Sequence, residues 1–163
     1  MNQKNVYFTP LGARRLQEEK EDLFKKLKDV QSQKGEAAET GGNQWHDNFS
    51  FEDLCRQESM LNAQISQLNA LFQKMIVVDA IPTQAHTLTI GHVAVLEIDG
   101  VTRRIRVGGY GDSLPDLDPP LISYLAPMIK SFIGMEIGAE EDVVLGGVKK
   151  HIELVDIELE EPC

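Results

Sequence analysis

The chain has 163 residues, with 26 Asp and Glu against 16 Lys and Arg, for a formal charge of −10. That balance excludes attachment to nucleic acid through a general basic field, and two cysteines are too few for a disulfide framework. Residues 1–79 hold 10 Lys and Arg against 12 Asp and Glu, whereas residues 80–163 hold 6 against 14, so the acidity belongs to the second half. Such a half suits a basic protein surface, and no stable binding to free DNA is expected.

Met1 to Phe8 contain no uninterrupted apolar run, and no stretch approaches 18 apolar residues. Neither secretion nor membrane spanning is expected, which makes the chain cytoplasmic. Free thiols at Cys55 and Cys163 fit a reducing compartment. His46, His86, His92 and His151 have no ligand-like spacing with either cysteine, so no protein-only zinc site is expected.

The first helix opens at Thr9-Pro10-Leu11-Gly12. Thr9 can cap free N–H groups, and Pro10 suits the first helical position because it lacks one. Leu16, Leu23 and Val30 recur every seven residues with Leu27 between them, while Glu18, Glu19, Glu21, Asp22, Lys25, Lys26 and Lys28 face outward as a solvated surface. Gly35 and Gly41-Gly42 are expected to loosen or end this helix. After a polar break the pattern resumes as Leu54, Leu61, Leu68 and Met75, with Ile65 and Phe72 between. The second helix begins between Asp47 and Ser50, where Ser50-Phe51-Glu52-Asp53 has the form of a capping box, and runs to about Lys74.

Two apolar stripes of this period separated by a short Gly-containing break predict one antiparallel coiled-coil hairpin over residues 1–79, with a polar tip at 41–50. An arm of roughly 28 residues extends about 40 Å, so its end can enter another body. Met75-Ile76-Val77-Val78 is β-branched, and Asp79 to Thr83 read as the linker, because Pro82 disfavours helix before it.

Residues 80–163 carry strand signals. His92 to Ile98 and Val101 to Val107 flank Asp99-Gly100, and Asp142 to Leu145 and Val148 to Ile157 flank Gly146-Gly147, which predicts two hairpins. Gly108 to Pro120 reads as a loop, and Ala126 to Gly134 as a short helix with Pro127 near its start. The fold class expected is α+β in two domains: the helical hairpin, then a small antiparallel sheet domain with one short helix.

This order of parts resembles the bacterial Gre transcription elongation and transcript cleavage factors. The residues that carry the match are Thr9-Pro10-Leu11-Gly12-Ala13 with Leu16, Asp47-Asn48 at the tip, and Val77-Val78-Asp79. Ile122-Ser123, Ala126-Pro127, Ile133-Gly134 and Glu140-Glu141-Asp142-Val143-Val144 continue it. The resemblance implies an FK506-binding-protein-like sheet domain docked at the rim of the RNA polymerase secondary channel, with the hairpin passed through it. Tip acids would then help hold a Mg²⁺ shared with bacterial RNA polymerase, near the 3′ end of backtracked nascent RNA. No activity is expected without polymerase. The likeness to isomerases does not transfer their activity.

The tip departs from that family. Where cleavage factors read Gly-Asp-Leu-x-Glu-Asn, this chain reads Gly42-Asn43-Gln44-Trp45-His46-Asp47-Asn48. Asn43 stands for the first acid, and one residue is inserted before Asp47, which matches the second. Asp47 is the expected Mg²⁺ ligand and Asn43 a weaker helper that lacks the charge to offset dehydration of the ion; a helix-capping role for Asp47 stays open. Two positions that often carry basic residues facing the transcript fall on Glu39 and Cys55.

Trp45 either stacks on a base or channel wall or packs back on Phe49 or Phe51. With His46 and Asn48 it completes the expected tip contacts, His46 as a solvated loop residue. Glu52 and Asp53 read as first-turn acids. Ile122, Pro127 and Met128 form a candidate polymerase-docking patch, with burial in the core as the alternative. Two functional readings follow: a cofactor of polymerase transcript cleavage, and a non-cleaving regulator that occupies the channel.

Overall fold

A computed structural model describes residues 5–40, 49–78 and 82–159. These divide into two units: Ala13–Met75, and Val6–Gly12 together with the residues from Ile76 onward.

The first unit is built on α1 (Pro10–Thr40) and α2 (Phe49–Phe72). With 31 residues, α1 is about 46 Å long. Its buried side chains are Leu16, Leu23, Leu27 and Val30, and those of α2 are Ile65 and Leu68. Leu54, Leu61, Phe72 and Met75 are half-buried, so the stripe read from the heptads is the buried one. Cross-helix contacts give the direction. Lys20 lies over the Phe72 ring at 4.8 Å, Gln31 and Lys34 reach Glu58, and Lys34 lies over Phe51 at 5.7 Å. Partners descend along α2 as they ascend along α1, so the helices are antiparallel. The helix runs through Gly35 rather than loosening there; that position is exposed, and a side chain at it would meet nothing within 4 Å. α2 ends at Phe72, and a turn occupies Gln73-Lys74.

The second unit contains a six-stranded sheet. Its strands are β3 (His92–Ile98), β4 (Val101–Gly108), β5 (Ser113–Leu114), β6 (Leu121–Ser123), β7 (Glu140–Leu145) and β8 (Val148–Leu159), in the order β5-β6-β4-β3-β8-β7. Both expected hairpins form. Asp99 and Gly100 have φ of 53° and 76°, and Gly146 and Gly147 have 59° and 82°, the sense that closes a two-residue hairpin turn. The sheet is mixed rather than wholly antiparallel, because β6 pairs parallel to β4 with Arg106 opposite Leu121. The segment expected as loop also contributes β5, which pairs with β6. The short helix α3 (Pro127–Lys130) is shorter than the Ala126 to Gly134 helix expected from the sequence, and the backbone continues as turns to Gly134 at φ 84°.

Alternation places Ala94, Leu96 and Ile98 of β3 with Ile105, Val107, Ile152, Leu154 and Ile157 on one face, packed with Ile129, Phe132 and Tyr124. The β3–β8 register shifts between Val95 and Leu96, where Val155 is the extra residue; such a bulge sharpens local twist.

A two-stranded ribbon joins β1 (Val6–Phe8) to β2 (Met75–Val77). Phe8 is buried and meets Tyr110 with ring centroids 5.2 Å apart, while the Tyr110 N–H donates to the Tyr7 carbonyl at 2.7 Å. Gly109 is required here, since a Cβ on it would lie 2.5 Å from the Thr9 nitrogen. Thr9 caps α1 as its sequence suggests: the Gly12 N–H donates to Thr9 Oγ1 at 3.1 Å. That hydroxyl donates in turn to Asp112 Oδ2 at 2.8 Å, and the Gly109 N–H donates to the same oxygen at 2.9 Å. Asp112 is a buried carboxylate satisfied by the neighbours it orders.

Candidate functional site

Asn43, Trp45, His46, Asp47 and Asn48 lie outside the described residues. The structure describes the helix ends that carry them, Thr40 on one side and Phe49 on the other.

Near that end, Lys34 Nζ lies 2.6 Å from Glu58 Oε2, and Gln31 Nε2 donates to Glu58 Oε1 at 2.9 Å. The hydrogen bond from Lys34, then that from Gln31, holds the Glu58 carboxyl below its ordinary range. The hydrogen bond to Glu58 correspondingly raises Lys34. This cross-helix cluster ties the two arms about two to three turns from the helix ends at Thr40 and Phe49. It was not singled out in the sequence, although the antiparallel register would have brought residues 34 and 58 together.

On α2, Gln57 Nε2 donates to Asp53 Oδ2 at 2.7 Å, and Arg56 pairs with the other Asp53 oxygen. The Gln57 hydrogen bond, followed by that from Arg56, lowers the Asp53 pKa. Asp53 is therefore engaged along its own helix, whereas Glu52 is exposed in the first turn. Phe49 is 84 % exposed, the most exposed of the large hydrophobic side chains among the described residues. Cys55 is half-buried and free.

In the sheet unit, Ile122 on β6 and Met128 on α3 are half-buried against the core, while Pro127 is exposed. Leu125 is also exposed beside them in sequence. The three residues expected to form a docking patch thus share one segment, but only Pro127 presents its side chain fully.

Two histidines in this unit have contrasting surroundings. His92 is buried: its Nδ1 accepts from the Thr89 N–H at 3.2 Å, which leaves Nε2–H to donate to the Gln84 carbonyl at 3.0 Å. Burial lowers its pKa. His151 is exposed, with Nδ1 3.0 Å from Asp142 and Nε2 3.4 Å from Glu140. The Asp142 hydrogen bond is the largest cause of its raised pKa.

Among the described residues, no group of three or more His, Cys, Asp or Glu is arranged to hold a metal ion. No helix among them is long and apolar enough to cross a membrane.

No protein-family model and no curated relative matches the chain. Among solved structures, its neighbours are Gfh1 and GreA/GreB transcription factors. The chain is similar to GreA factor homolog 1 (Gfh1) of Thermus thermophilus at 20 % identity and a TM-score of 0.43, covering 94 % of this chain and 99 % of that one. Thermus aquaticus Gfh1 gives 20 % and 0.43 over 95 % and 99 % of the two chains. A transcription elongation factor GreA/GreB from Nitrosomonas europaea gives 16 % and 0.37 over 94 % and 98 %.

Proposed function

We propose that this chain is a Gre-like transcription factor that binds bacterial RNA polymerase, places its helical hairpin in the secondary channel and regulates elongation. The observation that carries this reading is the ordered run of Gre-like residues on the elements that need them. Thr9-Pro10 caps α1, Asp47-Asn48 falls in the sequence between the two antiparallel helices, and Ile122-Ser123 with Ala126-Pro127 leads from β6 into α3. Under this reading Pro127, flanked by Met128 and Ile122, lies in the polymerase-docking segment, and the nascent RNA 3′ end is met only through polymerase.

Asp47 would be the carboxylate ligand of a Mg²⁺ held jointly with polymerase, and Asn43 would offer an amide oxygen. Both are oxygen donors of the kind this ion takes. When bound, such an ion supplies charge stabilisation for phosphoryl chemistry. This chain's contribution is to carry the Asp47 oxygens on a hairpin whose arms are tied by Lys34 and Glu58. No stand-alone activity follows.

A specific observation favours the second reading, a non-cleaving occupant of the channel. The segment from Gly41 to Asn48 contains one carboxylate, Asp47, where cleavage factors resembling it carry two. A backtracked elongation complex mixed with the chain separates the readings. Faster shortening of the RNA that Asp47→Ala abolishes would establish the cleavage role. Unchanged RNA together with slowed cleavage by an added cleavage factor would establish channel occupancy. Failure to bind polymerase at all would remove both.

A further inference from the structure

The exposed ring of Phe49 does not stand alone. It borders a recess of about 210 Å³, lined among the described residues by Glu52, Asp53 and Arg56 of α2 as well. Among the described residues that line it the formal charge is −1, and Arg56 is already paired with Asp53, so they offer an aromatic face and the Glu52 carboxylate with no cation among them committed to either. The partial positive charge at a helix start, roughly half a unit, is smaller than that deficit.

The same hairpin completes such an arrangement once internally: the Lys34 ammonium lies over the Phe51 ring at 5.7 Å and on the Glu58 carboxylate at 2.6 Å. We infer that the Phe49 recess takes the guanidinium side chain of an arginine from a partner protein, stacked on Phe49 and paired with Glu52. A planar, weakly hydrated guanidinium combines stacking with carboxylate pairing in a way that neither an aliphatic group nor a phosphate-bearing nucleotide does in an acidic recess. This rests on the polymerase reading for the partner, which would present the arginine on its channel wall, but not for the chemistry of the recess.

Two measurements on the full chain test it. In the first, Phe49 ring resonances are followed by NMR while N-acetylarginine methylamide is added, with the neutral citrulline analogue, adenosine and cytidine as comparisons. The expected result is a saturating shift with the arginine compound alone, weakened in Glu52→Gln. No shift, or a shift with a nucleoside in its place, overturns the inference.

In the second, affinity for core polymerase should fall about five- to tenfold in Phe49→Ala and hold in Phe49→Tyr; because the ring is exposed, neither variant is expected to disturb the fold. Wild-type affinity in Phe49→Leu would reduce the contact to plain apolar burial and overturn the assignment, as would unchanged affinity in Phe49→Ala. If the arginine compound binds at Phe49 and the chain fails to bind polymerase, the recess stands and the polymerase reading falls.

Discussion

The helical hairpin and the sheet unit bury their apolar side chains in different ways. On α1 and α2 the buried residues form one stripe, each keeping a trace of exposure, as with Leu23 at 9 % and Leu68 at 8 %. In the sheet unit Leu96, Ile129, Phe132, Ile152 and Leu154 reach 0 %. A two-helix seam has one layer and remains near water along its whole length, whereas a sheet face covered by α3 and its flanking turns closes around its centre. The hairpin is therefore held by repetition of modest contacts, and the sheet unit by a few enclosed ones.

Truncation is the strongest way to break that contrast. Leu154→Ala should cost about 3–5 kcal/mol, near the upper part of the range for enclosed leucines, and Leu23→Ala about 2 kcal/mol, because the seam can close toward the gap. Denaturant titration with a probe in each unit would check the ranking; equal losses would erase the distinction.

Close approach at Gly109 is next. Gly109→Ala would force its Cβ against backbone atoms of Phe8 and Thr9, for a loss of about 1–3 kcal/mol, read as a lower melting midpoint of the sheet unit. Thr9→Val should cost about 1 kcal/mol by removing the α1 cap and the donor to Asp112.

The histidines sharpen the comparison within the sheet unit through pH. The folded pKa of His92 is depressed, so its contribution is fully present above the unfolded value of about 6.5 and is lost as pH falls through the folded pKa. His151 has the opposite sign: its folded pKa is raised, so its contribution is present below about pH 6.5 and is lost as pH rises through the folded value. Stability measured across pH should lose its acid-side slope in His92→Gln and a smaller alkaline-side slope in His151→Gln.

The smallest effect belongs to Glu58→Gln. It removes a cross-helix ion pair near the tip, and its slight loss of hairpin stability should fade in high salt.

What was legible in the sequence follows the range over which each signal acts. The heptad stripes, the Thr9 cap and the Asp99-Gly100 and Gly146-Gly147 turns are local, and each appears where its residues place it. Gly35 misleads as a helix breaker because one exposed glycine costs only about 0.5–1 kcal/mol relative to alanine, which a long helix with a buried stripe absorbs. β1, β5 and β6 escape notice because strands of two or three residues carry no period of their own. They exist through distant partners, and the parallel pairing of β6 with β4 follows from where the intervening loop returns. At the candidate site the helix ends were readable, whereas the half-burial of Ile122 and Met128, the Lys34–Glu58 cluster and the exposure of Phe49 depend on tertiary packing, cross-helix register and side-chain accessibility.

Val6–Gly12 packs with residues that follow it by about a hundred positions, as the pair Thr9 and Asp112 illustrates, with a separation of 103. During synthesis this opening segment leaves the ribosome long before Gly109, Tyr110 or Asp112, while α1 and α2 can zip together as soon as both have emerged. The second unit must wait for nearly the whole chain and then recover its first strand from the far end. A clone begun at residue 10 would for that reason damage the half of the molecule it leaves untouched.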